Sequence, residues 1–263
     1  NFKQVENRLT TQNRTINTQL SAIAKNVTSI GEQIGQLNRA ISDLSSGGTS
    51  QLPNDLLDKR DQLVRELSQY VDVEIIDRND GSIDISIGQG QPLVIGSATR
   101  ELVAVAGSAD PARSELAFLN NGSPENVGRL MTGGEIGGLL RVRTEALDPA
   151  FNALGRIALA ITDGINSQHQ LGIDLEGNLG RAIFRDINDP AVARSRVLGY
   201  ETNSGSPNRS LSVSIEDVSQ LTTSDYELAF SGPSGRFSIV RQADGQVMAQ
   251  GVVAGNLPQS IEV

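Results

Sequence analysis

The stretch from Ile16 to Leu44 reads INTQLSAIAKNVTSIGEQIGQLNRAISDL, and its apolar residues decide the architecture. Ile16, Leu20, Ile23, Val27, Ile30, Ile34, Leu37, Ile41 and Leu44 follow one another in alternating steps of four and three. Such steps keep all of them on one helical stripe, so the spacing predicts a long helix with a packing seam that lies along other helices. Read backwards, the register reaches Asn13, Leu9, Glu6 and Phe2, where the seam weakens without ending. A helix of 44 residues is about 66 Å long at ~1.5 Å per residue. Few compact enzymes need such a rod.

The remaining faces of this helix are rich in uncharged amides and hydroxyls. Of the first 44 residues 19 are Asn, Gln, Ser or Thr, and only 8 are charged. A solvated helix favours Glu, Lys and Arg, which have better helix propensity and form pairs one turn apart. Amides cost less to desolvate than charges, so Asn26, Gln33 and Gln36 are expected to face neighbouring subunits.

Downstream, Ser45 to Ser50 breaks the helix and Pro53-Asn54-Asp55 starts another, with Asn54 or Asp55 as N-cap. Leu56, Leu57, Leu63, Val64, Leu67, Tyr70 and Val71 form its apolar face, while Asp58, Lys59, Arg60, Asp61, Arg65 and Glu66 read as a solvated face. The period then becomes two. Val73–Asp77 and Ser82–Ile87 flank Asn79-Asp80-Gly81 as a hairpin, and 93–95, 102–105 and 116–119 continue as short strands. A second long helix is expected over 135–169, lined by Leu140, Leu147, Phe151, Leu154, Ala158, Ile161 and Ile165. Pro149 should bend or divide it. Beyond Ile183 the expected strands are 196–200, 211–215, 226–230, 237–241 and 247–249, arranged as a sandwich or barrel.

The reading is therefore α+β: a coiled-coil-like helical bundle layer (1–71 and 134–170), a small β insertion (72–133) and an antiparallel β-rich domain (185–263). Asn1 is no natural start, so the chain is expected to be part of a longer one. Hydrophobic residues make up 38% and aromatics 3%, which predicts aliphatic cores and few aromatic anchors at interfaces. A net charge of −9 argues against nucleic acid and against anionic membrane surfaces as partners. With no cysteine there is no disulfide, thiolate site or cysteine nucleophile.

Chemistry is hard to find. The one histidine, His169, has no partner at metal-ligand spacing and reads as a polar cap at a helix end. Asp174-Leu175-Glu176-Gly177-Asn178 lacks the spacing of a calcium loop and reads as a turn. Gly133-Gly134-Glu135-Ile136-Gly137-Gly138 lacks the lysine of a phosphate loop. No catalytic, cofactor-binding or metal residue is assigned, and no enzyme activity is expected.

Three segments carry a resemblance. Ile30-Gly-Glu-Gln-Ile34-Gly-Gln-Leu37-Asn38-Arg-Ala-Ile41, followed by Pro53-Asn54-Asp55-Leu56-Leu57-Asp58-Lys59-Arg60-Asp61-Gln62-Leu63-Val64, resembles the hook-associated protein 1 family of the bacterial flagellum. So does Ile165-Asn166-Ser167-Gln168-His169-Gln170-Leu171-Gly172-Ile173-Asp174. The resemblance implies a secreted, extracellular structural protein at the junction of hook and filament. Its implied partners are further copies in a ring, the hook protein, the next junction protein and an export chaperone. A flagellin-like axial protein, or a helical sensor or adhesin ectodomain, are the alternatives.

Overall fold

The computed structural model describes residues 1–46, 53–200, 211–231 and 236–252. The predicted rod is present: α1 spans Phe2–Ser46. The linker from 47 to 52 lies outside the described residues. α2 (Asn54–Tyr70) begins directly after Pro53, which occupies the N-cap without a side-chain hydrogen bond. The cap expected from Asn54 or Asp55 is thus corrected, since both already lie within the first turn.

A run of short strands follows: β1 (Val73–Asp77), β2 (Ile83–Ile87), β3 (Gln91–Ile95), β4 (Ala98–Thr99), β5 (Leu102–Ala106), β6 (Ser114–Asn120) and β7 (Ser123–Asn126). They form two antiparallel sheets, β1-β2-β3-β4 and β5-β6-β7. The β1–β2 turn has Gly81 at a φ of +80°, a conformation glycine adopts without a Cβ clash. Beside it the Asp80 carboxylate accepts from the Ser82 N–H at 3.0 Å and the Ser82 hydroxyl at 2.6 Å. β4 and β7 were not expected, because Ala98-Thr99 and Ser123-Pro124-Glu125-Asn126 have no apolar alternation.

The second long helix is divided, as Pro149 predicts. α3 (Gly134–Val142) passes through a π turn at Arg143–Leu147 into α4 (Asp148–Gln170). Proline has no N–H to give the carbonyl four residues back and its ring crowds that carbonyl, and a locally widened turn accommodates both. Along this helix the expected seam is buried only at Leu147. Leu140, Phe151 and Leu154 are half-buried, and Ala158, Ile161 and Ile165 are exposed.

The later region departs from expectation. Residues 196–200 and 211–215 are not strands; α5 (Pro190–Ser195) precedes them, capped by the Asp189 carboxylate on the Ala191 N–H. Asn188 bonds the backbone of Ile215 through both amide atoms (2.8 Å each), so a side chain stands where a neighbouring strand would pair. β8 (Tyr226–Ser231), β9 (Arg236–Arg241) and β10 (Val247–Val252) form a sheet of order β10-β9-β8. The fold is α+β, but among the described residues no sheet closes into a barrel, and those of this later region supply a single three-stranded sheet. Its expected Gly232–Gly235 turn and the end at Val263 lie outside the described residues.

By compactness the chain divides into two units. One holds Asn1–Leu9, Thr144–Val197 and the described residues from 211 onward; the other holds Thr10–Arg143 with 198–200. This grouping cuts across element type: the first two sheets share a unit with α2 and most of α1. Its core joins Ile16, Leu20, Val27, Ile34 and Ile41 of α1, Val64 and Leu67 of α2, and Ile85, Ile87, Leu93, Leu102, Leu116 and Phe118 of the strands.

Candidate functional site

Residue by residue, α1 presents three different surfaces. On the seam, Ile16, Leu20, Ile23, Val27, Ile30, Ile34 and Ile41 are buried, whereas Leu37 is half-buried and Leu44 is exposed. Asn26, Gln33 and Gln36 are exposed, and Gln33 bonds only back along its own helix to Ser29.

The third surface was missed in the sequence. Directly after each seam residue stands a small or hydrogen-bonding one: Asn17, Ser21, Ala24, Thr28, Gly31, Gly35, Asn38 and Ser42. This second stripe, one residue out of phase, is where the sheets lie. A Cβ on Gly31 would stand 2.9 Å from Thr99 Cγ2, and one on Gly35 would stand 2.9 Å from the Ser97 carbonyl oxygen. The glycines thus let backbone approach backbone.

The polar members of the stripe complete the sheets. Asn17 Oδ1 accepts from the Ser114 N–H (2.9 Å) and its Nδ2 donates to the Ala112 carbonyl (2.9 Å). The Thr28 hydroxyl accepts from the Leu102 N–H (2.9 Å) and donates to the Leu102 carbonyl (3.1 Å). Asn38 Oδ1 accepts from the Ile83 N–H (3.2 Å), and its Nδ2 donates to the carbonyls of Ile83 and Gly96 (2.7 Å each). Each takes backbone groups that no strand reaches, as buried peptide groups require.

Two arginines reinforce this arrangement. Arg143 donates to the Ser114 carbonyl (2.8 Å) and to Asn17 Oδ1 (2.7 Å). Arg60, expected on a solvated face, is buried; it donates to the Gly81 carbonyl (2.7 Å) and to Asn38 Oδ1 (3.3 Å). Burial pulls its pKa below the ordinary guanidinium value, with nearby Asp61 and Asp77 opposing. The charge run looked solvated because the carbonyl that receives the Arg60 guanidinium belongs to a hairpin tip 21 residues away.

At the far end of α4, Asn166 is buried and its Oδ1 accepts from the N–H groups of Ile183 and Phe184 (2.9 Å each). His169 Nδ1 lies 2.6 Å from the Arg181 carbonyl. A carbonyl only accepts, so Nδ1 carries the proton. The histidine holds the returning chain instead of capping its own helix. The Asp174 carboxylate accepts from Asn178 N–H (2.7 Å), Asn178 Nδ2 (3.1 Å) and Glu176 N–H (3.0 Å). Those bonds, Asn178 foremost, hold it below the usual carboxylate range.

No reacting constellation emerges from these contacts. Among the described residues no group of three or more His, Asp or Glu side chains could hold a metal ion, and no helix is long and apolar enough to cross a membrane. A groove of about 260 Å³ between α1 and β5 is lined by Ser21, Ala24, Lys25, Thr28, Ser29 and Glu32 of the helix and by residues 101–104.

The family described as the flagellar hook-associated protein FlgK helical domain matches residues 1–184. The chain belongs to the FlgK family. Over 262 residues it is 33% identical to flagellar hook-associated protein 1 of Salmonella typhimurium strain LT2, an alignment covering 95% of this chain and 46% of that protein. The same protein of Escherichia coli K12 also matches at 33% over 95% of the chain. A solved structure, the flagellar hook junction protein FlgK from Burkholderia pseudomallei, superposes with a TM-score of 0.80 at 31% identity. It covers 97% of this chain and 44% of that one. The chain thus spans about half the length of the FlgK relatives it matches. The FlgK match extends through α1, both sheets of the Thr10–Arg143 unit and the α4 exit.

Proposed function

We propose that this chain is a structural segment of the junction between flagellar hook and filament, and that it carries out no chemistry. The observation that supports this most is 33% identity to hook-associated protein 1 across 95% of the chain. In this reading copies assemble as a ring outside the cell, touching the hook protein on one side and the next junction protein on the other, after delivery by an export chaperone. Residues 1–71 and 134–170 form the layer along which neighbours pack. Ile16 to Ile41 hold the subunit together, while Asn26, Gln33 and Gln36 meet neighbours.

The test replaces all three outward amides with lysine in the full-length protein. The melting temperature should stay within about 5 °C, since each exposed substitution changes stability by no more than roughly 0.5 kcal/mol, while junction assembly and swimming are lost. Cells that swim normally with a normally melting variant would show that these amides are ordinary surface.

A further inference from the structure

Three strand ends in the Thr10–Arg143 unit are closed by side chains of α1, but the outer edge of β1 is not. The Gly88 N–H donates to the Asp72 carbonyl and the Arg78 N–H to the Ser82 carbonyl, so the residues paired through hydrogen bonds to β2 are the even-numbered ones. Val73, Ile75 and Asp77 therefore aim their N–H and C=O groups away from the sheet, of which β1 is the first strand. Two large aliphatic side chains flank this edge, Ile75 at 48% exposure and Ile76 at 53%. Natural edge strands are blunted by charge, proline or a bulge; β1 has no proline, lysine or bulge, and its two carboxylates, Glu74 and Asp77, leave Ile75 and Ile76 uncovered between them.

We propose that β1 pairs edge to edge with β1 of a second copy of this chain, antiparallel about a two-fold axis through Ile75. In that register Ile75 opposes Ile75, Val73 opposes Asp77, and the outward backbone groups of each copy meet those of the other. Glu74 opposes Ile76, so no like charges face each other, and at both ends Asp72 opposes Arg78. Opposite charges directly across a strand pair stabilise it. Arg78 holds Asp84 at 3.2 Å on its own sheet and is 43% exposed, and Asp72 accepts from the Thr132 hydroxyl at 3.4 Å, so in the pair each would share its charge with a second partner. The contact is isologous and closes on itself. It is distinct from ring assembly and does not rest on the flagellar reading.

Because the chain has no cysteine, a single introduced one reports the contact. Ile75→Cys should form a covalent dimer under mild oxidation about tenfold faster than Ile95→Cys, an equally exposed isoleucine in β3, because pairing raises the local thiol concentration. Adding Asp77→Pro to Ile75→Cys removes an outward N–H that the β1–β2 ladder does not use and should return the rate to that of Ile95→Cys. Adding Arg78→Glu, which places acid against Asp72, should do the same should the proline variant not fold. Equal rates for Ile75→Cys and Ile95→Cys would overturn the proposal. So would a rate that neither second substitution lowers in a protein with unchanged circular dichroism.

Discussion

Asn38 holds a primary amide where a strand residue would otherwise stand, and the consequence can be measured. Asn38→Leu leaves the Ile83 N–H and the carbonyls of Ile83 and Gly96 without this partner. At about 1–3 kcal/mol for each buried group left unpaired, urea unfolding should show a loss of roughly 3 kcal/mol or more. Arg60 shares the Asn38 oxygen, so Arg60→Met combined with Asn38→Leu should be non-additive by about 0.5–3 kcal/mol. Simple additivity would show that Arg60 serves only the Gly81 carbonyl. Asp244 makes a pH prediction. The Arg241 side chain, and then the Gln246 N–H, lower its pKa to about 2, below the usual ~3.9. A depressed folded value means the stabilisation is complete above the unfolded pKa and disappears as pH falls toward about 2. Titration of the Asp244 carboxyl by NMR should give a midpoint near that value, and a midpoint at the ordinary value would mean the turn is not held by Arg241.

At the scale of elements, Gly35 sets helix propensity against packing. Gly→Ala in a helix interior is worth about 1 kcal/mol in favour of alanine. At Gly35 the new Cβ would sit 2.9 Å from a backbone oxygen, whereas at Gly155 in α4 nothing lies within 4 Å. Gly155→Ala should therefore raise the melting temperature, and Gly35→Ala should lower stability by about 1–3 kcal/mol, the usual cost of overpacking. A rise in both would remove close approach as the reason for the glycine. The apolar seam of α1, the Asn79–Gly81 hairpin and the division at Pro149 were legible because each is a local signal: a period, a turn dipeptide, a missing N–H. The Asn17–Ser42 stripe was not. Small and polar residues at that spacing look like ordinary helix surface until a sheet is laid against them. The strand expected at 211–215 failed for a related reason: alternating apolar residues do not make a strand when the Asn188 and Arg196 side chains take the backbone bonds.

For the whole molecule, charge bears on how assembly is read. Three lysines in place of Asn26, Gln33 and Gln36 change the formal charge of this chain from −9 to −6, which weakens the repulsion that this segment contributes between copies. Loss of assembly in that variant would thus come from desolvating the new ammonium groups at a contact and not from a more highly charged subunit. The amino-acid order by itself determined the rod, the hairpin and the α+β class, since hydrophobic period and turn chemistry act between neighbours in sequence. It also carried family membership in the three quoted segments. Only the tertiary structure decided that Arg60 is buried, that His169 clasps a returning chain, and that α1 is as much a support for sheets as a seam for helices. Those outcomes depend on backbone groups a dozen or more residues distant, which become partners only after the chain has folded.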